Sequence, residues 1–230
     1  GVLSLGVKIG RRSLELMLVN FHGEAIDYKR FAYTAPRQAE VSALLQRELP
    51  PLLQSLDEAL AQRVIGVGVA MPGNLSAWTD VMGLNPAELL DWDEVDVAAE
   101  IGGLTALPVE TYNDATAACA AEMVLGSALT FSSALYIYVG TFIGGGVVIN
   151  GQLFEGAQRN AGAIGSLPVP ARSGAAGAQE QLIRQGSLFS LENDLRAAGI
   201  GDLGLIAELA RDPRAAEAFG EWRRRAAPPI

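Results

Sequence analysis

The first third of the chain is a series of apolar runs broken by one amphipathic segment. Three β-rich runs come first, at residues 2–9, 14–21 and 25–33. Leucines then recur at helical spacing over 41–61, with an interruption at Pro50 and Pro51, before a buried run at 64–70 that ends near Gly73. The order strand, strand, strand, helix, strand predicts an α/β unit.

A helix at 96–101, a strand at 108–112 and an alanine-rich helix from 113 to 126 follow. The second half then repeats the order, with strands at 134–139, 147–149 and 152–154 around a glycine-rich turn at 140–146, and helices from 179 onward. The pair Asn150-Gly151 is typical of a type I′ hairpin turn. Two hairpin-led halves indicate two α/β domains, at 1–115 and 116–230, with a ligand cleft between them.

The composition restricts the classes of function. The 230 residues carry 17 basic and 26 acidic side chains, a formal net charge of -9, which argues against binding nucleic acid or anionic membrane by bulk electrostatics. The basic run 223–225 is interpreted as the solvated face of a late helix. No apolar stretch reaches eighteen residues, so we expect a soluble, cytoplasmic protein.

Cysteine and histidine are too few for most metal or redox chemistry. The one cysteine, Cys119, excludes an internal disulfide and is interpreted as buried packing on the alanine-rich helix. The one histidine, His22, excludes a histidine-rich metal centre and lies in a predicted hairpin turn.

The glycine-rich segment 140–146 is the first candidate for ligand chemistry. Its glycines and Thr141 could form a nest of backbone amides around a phosphate. A tight turn between two buried strands explains the same glycines equally well. The segment alone therefore does not distinguish a phosphate-binding nest from a tight turn.

Asn113 and Asp114, at a predicted strand-to-helix junction, are the second candidate. The Asp114 carboxylate could take a proton from a sugar hydroxyl as that oxygen attacks a phosphoryl group. A plain helix cap is the commoner use of such residues, and in isolation it is the favoured reading. The small-residue segment 160–166, with Asn160 and Ser166 as its polar side chains, predicts a loop.

Four motifs in a fixed order, from Gly6 to about Glu192, resemble the ROK family of repressors, open reading frames and sugar kinases. They occupy residues 66–73, 113–118, 140–151 and 160–162. The resemblance implies an actin-like ATPase, ribonuclease H-like fold: two α/β domains around a cleft. It also implies a homodimer or homotetramer.

The phosphate loop departs from the family pattern. The kinases open with Asp-x-Gly-Gly-Thr, in which the carboxylate serves the metal and the glycines admit the phosphates. This chain has Lys8-Ile9-Gly10-Arg11-Arg12 there, so a cation replaces the carboxylate and two arginines occupy the approach. The loop is therefore predicted to be unfit for binding magnesium-ATP.

The zinc and sugar motifs of the kinases are degenerate as well. Ala163 and Ser166 replace the glutamate and histidine of the sugar motif, and residues 171–180 keep the glycines and final glutamate of the zinc motif without its cysteines. Structural zinc needs four soft or imidazole ligands, so we expect no zinc site. We expect no other cofactor for the regulator. Magnesium-ATP would enter only if the chain were a kinase.

By resemblance, the retained polar residues would bind a carbohydrate or sugar derivative. The predicted ligand-binding residues are Gly73, Asn74, Asn113, Asp114, Asn160 and Glu180. The predicted phosphate-binding residues are Gly10, Gly140, Thr141 and Gly144. No metal ligand is predicted.

The leading hypothesis is the sugar-sensing domain of a ROK-type transcriptional regulator, without kinase activity. The alternative is an ATP-dependent sugar kinase that uses Asp114 as its general base, and a third reading is a scaffold that acts through subunit contacts alone. DNA would be bound only through a helix-turn-helix domain, which is not in this chain. The sequence resembles the central part of a longer protein, whose final helices would follow residue 230.

Overall fold

The structure, a computed structural model, describes residues 1–73, 75–76, 79, 85, 87, 89–126, 131–172, 177–200 and 213–226. The chain divides into two compact units, Gly1–Ala117 and Ala118–Ile230. None of the described helices is both long enough and apolar enough to cross a membrane.

The first unit is built on a five-stranded mixed sheet in the order β3-β2-β1-β4-β5. Its strands are β1 (Leu3–Ile9), β2 (Ser13–Asn20), β3 (Ala25–Ala32), β4 (Val64–Met71) and β5 (Val109–Asn113). Strands β1, β4 and β5 run parallel, whereas β2 and β3 are antiparallel neighbours joined through the predicted turn at His22. The carboxyl ends of the three parallel strands therefore lie at one edge of the sheet.

Three helices pack on one face of this sheet: α1 (Gln38–Gln54), α2 (Glu58–Ala61) and α3 (Val97–Thr105). Helix α4 (Asp114–Leu125) follows β5 directly and continues into the second unit. Alternate residues of β1 enter a core shared with α1 and α3, including Val7, Leu49 and Ile101. Trp92 belongs to the same core, and its Nε1 donates to the Pro36 carbonyl at 2.7 Å.

The predicted interruption at Pro50 and Pro51 is wrong. α1 passes through both prolines and ends at Gln54. Leu49 and Leu52 are almost completely buried on either side of the two prolines, so packing holds the final turn despite its missing amide donors.

The second unit contains a three-stranded antiparallel sheet and a two-stranded one. The strands are β6 (Ala134–Val139), β7 (Ile143–Ile149), β8 (Gln152–Phe154), β9 (Pro168–Pro170) and β10 (Gln179–Gln181). Asn150 and Gly151 have φ of 53° and 73°, which confirms the predicted type I′ turn. Cys119 is buried and free, as predicted.

Two predicted boundaries in this unit are wrong. Residues 143–146 belong to β7, so the turn is confined to residues 140–142. The segment from residue 179 begins as strand β10, because Gln179 pairs with Pro170. The helices follow it: α5 (Leu182–Gly186), α6 (Leu188–Ala197) and α7 (Pro213–Ala226).

Candidate functional site

In the first unit, the carboxyl edge of the parallel strands brings several predicted residues together. Lys8 is in register with Ala70 of β4, and Met71 is in register with Asn113 of β5. A Cβ added to Gly73 would lie 3.7 Å from Nδ2 of Asn113, so the backbone at Gly73 passes beside that amide. Gly10 follows β1 at the same edge. Asn74 lies outside the described residues.

Both side chains at the junction of β5 and α4 bind the first turn of that helix. Oδ1 of Asn113 accepts hydrogen bonds from the amides of Ala115 and Thr116, at 3.0 and 3.4 Å. Oδ1 of Asp114 accepts from the Ala115 amide at 2.8 Å. The structure therefore contains the helix cap that the sequence favours. These hydrogen bonds use one oxygen of each side chain.

Asp114 is a carboxyl group in a desolvated position. Burial raises its pKa, while the hydrogen bond from the Ala115 amide and the charge of Lys8 lower it, and the net pKa is above the ordinary 3.8. Because a raised pKa means that the folded chain holds the proton more tightly than the unfolded chain, stability falls as the pH rises from 3.8 through the raised value.

We therefore expect Asp114→Asn to stabilise the folded chain at neutral pH, by roughly 0.5–2 kcal/mol, the usual range for one stabilising substitution. An asparagine oxygen can still accept from the Ala115 amide, so the cap is retained. Urea unfolding across pH 3 to 8 checks this result. The difference between variant and wild type should vanish at the acidic end, and a constant difference across this range would contradict the desolvation argument.

The turn that follows β1 is closed by its own hydrogen bonds. The Gly10 amide donates to the Ser13 carbonyl at 2.9 Å. Tyr33 holds the other side: its hydroxyl donates to the Gly10 carbonyl at 2.5 Å, and its amide donates to the Arg12 carbonyl at 2.9 Å. Sequence reasoning missed Tyr33, because nothing local links it to a turn that lies 23 residues earlier.

In the second unit, the turn at 140–142 caps helix α6. The carbonyls of Gly140 and Thr141 accept from the amides of Leu188 and Phe189, at 3.1 and 3.0 Å. These amides are the first two of α6 and have no partner within the helix. The protein itself therefore satisfies this helix terminus, which would otherwise attract an anion.

The glycines of β7 allow another backbone to approach closely. Gly144 lies within the strand, opposite Tyr138 of β6. A Cβ on Gly145 would lie 2.5 Å from the Tyr136 carbonyl oxygen and 3.2 Å from that of Gly162. A Cβ on Gly165 would lie 2.4 Å from the Ile143 carbonyl oxygen. Packing of β6 and of the 160–166 segment against β7 accounts for Gly145 and Gly165 without a phosphate.

Glu180 and Asn160 are the remaining predicted ligand-binding residues. Oε1 of Glu180 accepts from the Arg172 amide at 2.7 Å and so closes the β9–β10 hairpin. Asn160 is exposed, and its carbonyl accepts from the Ala163 amide at 3.3 Å. Within the described parts of the chain, no three His, Cys, Asp or Glu side chains are grouped so that they could hold a metal ion.

One charged cluster of the second unit has no signal in the sequence. Asp194 accepts from Nη2 of Arg172, at 3.0 Å to Oδ2, and also from Arg225. The prediction of a wholly solvated 223–225 run is therefore wrong at Arg225, because α7 turns this residue inward toward Asp194, while Arg223 and Arg224 are exposed.

Comparison with known proteins gives a family and a fold. Residues 4–183 match the profile of the ROK family. The putative xylose repressor of Caldicellulosiruptor sp. (strain Rt8B.4) is 28% identical over 211 residues, covering 87% of this chain and 51% of the relative. The glucokinase of Halalkalibacterium halodurans is 28% identical over 177 residues, covering 74% and 51%. The chain thus spans about half the length of the curated relatives it matches.

A solved structure shows the same fold at lower identity. The ROK family glucokinase from Streptomyces griseus, in complex with glucose and AMPPNP, superimposes with a TM-score of 0.73 at 24% identity, covering 96% of this chain and 76% of that one. The fold is the actin-like, ribonuclease H-like ATPase fold, as predicted.

Proposed function

The chain belongs to the ROK family, and on that basis we propose that it is the sugar-binding domain of a ROK-type transcriptional regulator that has lost kinase activity. Among its relatives are both repressors and sugar kinases. The choice between these two activities therefore depends on the residues of this chain.

The turn after β1 carries the proposal. Lys8 lies near the carboxyl end of β1, at the position where the kinases of the family have the carboxylate of their phosphate loop. Arg11 and Arg12 follow it in the turn. A carboxylate is needed there to serve magnesium, and an ammonium repels that cation. The Gly10 amide, moreover, donates within the turn.

The second unit supports the same choice. A phosphate cradle needs backbone amides aimed at the ligand, but the carbonyls of Gly140 and Thr141 accept from α6. Phe142, the last residue of this turn, is buried, with its ring centroid 5.9 Å from that of Phe189. The turn thus carries a buried apolar side chain directly after Gly140 and Thr141.

Asn113 and Asp114 retain the chemistry for recognising a sugar. Each has one oxygen bound to the helix, which leaves the other polar atom of each side chain for a hydroxyl group. In the whole protein, sugar binding would shift an attached DNA-binding domain through differential affinity for two states.

Thermal unfolding against hexoses, pentoses and amino sugars, each with and without magnesium-ATP, tests the proposal. A ligand that binds only the folded chain stabilises it, by about 2.7 kcal/mol at one hundred times its Kd. We expect one class of sugar to raise the midpoint and magnesium-ATP to leave it unchanged. A shift with magnesium-ATP that increases with sugar, followed by phosphate transfer, would overturn the proposal.

The retained Asp114 favours a second candidate, an ATP-dependent sugar kinase with Asp114 as its general base. In that case Asp114→Asn would abolish turnover while sparing sugar binding.

A further inference from the structure

Lys8 occupies a defined position at the carboxyl edge of the first unit. It lies on the sheet face opposite the α1 core, since Val7 and Ile9 on either side of it are buried in that core. It is in register with Ala70, which in turn is in register with Tyr112, two residues before Asp114. Because Ala70 is small, no bulky side chain stands between Lys8 and β5 in this row.

The neighbouring acid, Glu15, forms no direct ion pair with Lys8. Glu15 lies directly opposite on β2, but its carboxylate accepts from Ser13 Oγ at 2.9 Å and from the Tyr28 hydroxyl at 3.0 Å, and it lies 3.8 Å from Arg30 Nε. Glu15 is thus held within β2 and toward β3. Within the described part of the chain, Lys8 forms no direct ion pair.

Lys8 and Asp114 lie at the same edge of the sheet, because the row of Lys8 and Ala70 continues to Tyr112, two residues before Asp114. The positive charge of Lys8 lowers the pKa of Asp114, although no direct ion pair joins the two groups. An ammonium group and a partly buried carboxyl group therefore lie at one edge of the sheet without a direct ion pair between them. Gly73, without a side chain, lies beside Asn113 at the same edge.

We infer that this edge binds a sugar that carries an anionic substituent, a phosphate or a carboxylate, with Lys8 binding the anion and Asp114 accepting a hydroxyl hydrogen bond. The inference rests on the proposed function and names its class of ligand. An ammonium group is a strong donor to phosphate and carboxylate oxygens, and a carboxylate accepts from hydroxyls but repels anions. The two groups therefore orient such a ligand in one direction.

The charge distribution along the chain agrees with this assignment. The chain as a whole has a net charge of -9, yet Lys8, Arg11 and Arg12 place three cations within five residues at this edge, against the two acids Glu15 and Asp114. A local basic patch on an acidic protein concentrates an anionic ligand where the rest of the surface repels it.

Calorimetric titration with matched sugars tests the inference. Glucose, glucose 6-phosphate and glucuronic acid are compared, then the same sets for mannose, galactose and N-acetylglucosamine. We expect an anionic form to bind at least about tenfold more tightly than its neutral parent, as for a charge-assisted hydrogen bond, and its affinity to fall as salt is raised. The phosphate and carboxylate forms are titrated separately, so the affinities identify which substituent the edge binds.

Substitutions then assign the preference to Lys8. Lys8→Met should remove the tenfold preference and leave neutral sugars within about twofold, whereas Lys8→Arg should retain it. Lys29→Met is the matched control, because Lys29 is in register with the buried Leu16 and so lies on the opposite face of the sheet. The salt dependence of the wild-type chain remains a test even if Lys8→Met does not fold.

The outcomes separate the two proposals. If neutral sugars bind as tightly as their anionic forms and Lys8→Met changes nothing, the anionic ligand is wrong and the sugar-binding function stands. If inorganic phosphate binds as tightly as the sugar phosphates, Lys8 recognises a bare anion and the inference is overturned. If no sugar of either kind binds, the proposed function fails and this inference fails with it.

Discussion

Replacing Gly162 by alanine is expected to cost the second unit at least about 4 kcal/mol of stability, at the extreme of single substitutions. An added Cβ would lie 2.1 Å from the carbonyl oxygen of Gly145, 2.3 Å from its carbonyl carbon and 2.7 Å from the Gly146 nitrogen. All three atoms belong to the backbone of β7, so no side-chain rotation relieves the clash. The 160–166 segment has to leave the strand, or the strand has to distort.

Urea unfolding followed by far-ultraviolet circular dichroism measures this loss. Gly103→Ala is the matched control: it adds the same methyl group, and beyond its chain neighbours and the backbone of its own helix no described atom lies within 4 Å of the new Cβ. Gly103 is an exposed residue inside α3, so alanine there should stabilise the chain by about 0.5–1 kcal/mol through helix propensity. A Gly162→Ala variant within about 1 kcal/mol of wild type would disprove the close packing on β7.

Elements with a strong local signal could be predicted from the sequence. The alternating β-rich runs gave β1 to β3 nearly to their observed ends, and the pair Asn150-Gly151 identified its turn because asparagine and glycine tolerate positive φ. α1 was mispredicted because the buried Leu49 and Leu52 outweigh the two prolines between them. Glycines 144–146 carry no local strand signal, because their strand conformation depends on packing partners that include the distant 160–166 segment.

The features of the candidate site also divide into those that a sequence pattern predicts and those that it does not. Parallel strands bring Lys8, Gly73 and Asn113 to one edge, and an α/β order read from sequence already implies that convergence. The capping of α6 by Gly140 and Thr141, the anchoring of the Gly10 turn by Tyr33, and the pairing of Arg225 with Asp194 had no such signal. Each is a contact between distant segments, so each depends on tertiary packing that no local pattern encodes.

Replacing Trp222 of α7 is the other substitution from which we expect a large loss of stability. Its indole is 8% exposed and packs with Leu191 and Leu195 of α6, while its Nε1 donates to the Ser187 carbonyl at 2.9 Å. Ser187 caps α6, the helix whose next two amides bind the glycine turn. The indole thus holds α7 against the start of α6.

Trp222→Ala should therefore cost about 3–5 kcal/mol, through the loss of buried area and the cavity left behind. Trp222→Phe should cost less: most of the apolar contact remains, and the Ser187 carbonyl still accepts from the Ser190 hydroxyl at 3.0 Å. Chemical unfolding of both variants gives the order, and amide exchange at Leu188 and Phe189 shows whether the start of α6 opens in Trp222→Ala. Equal losses in the two variants would mean that the hydrogen bond, and not the packing of the indole, holds α7 in place.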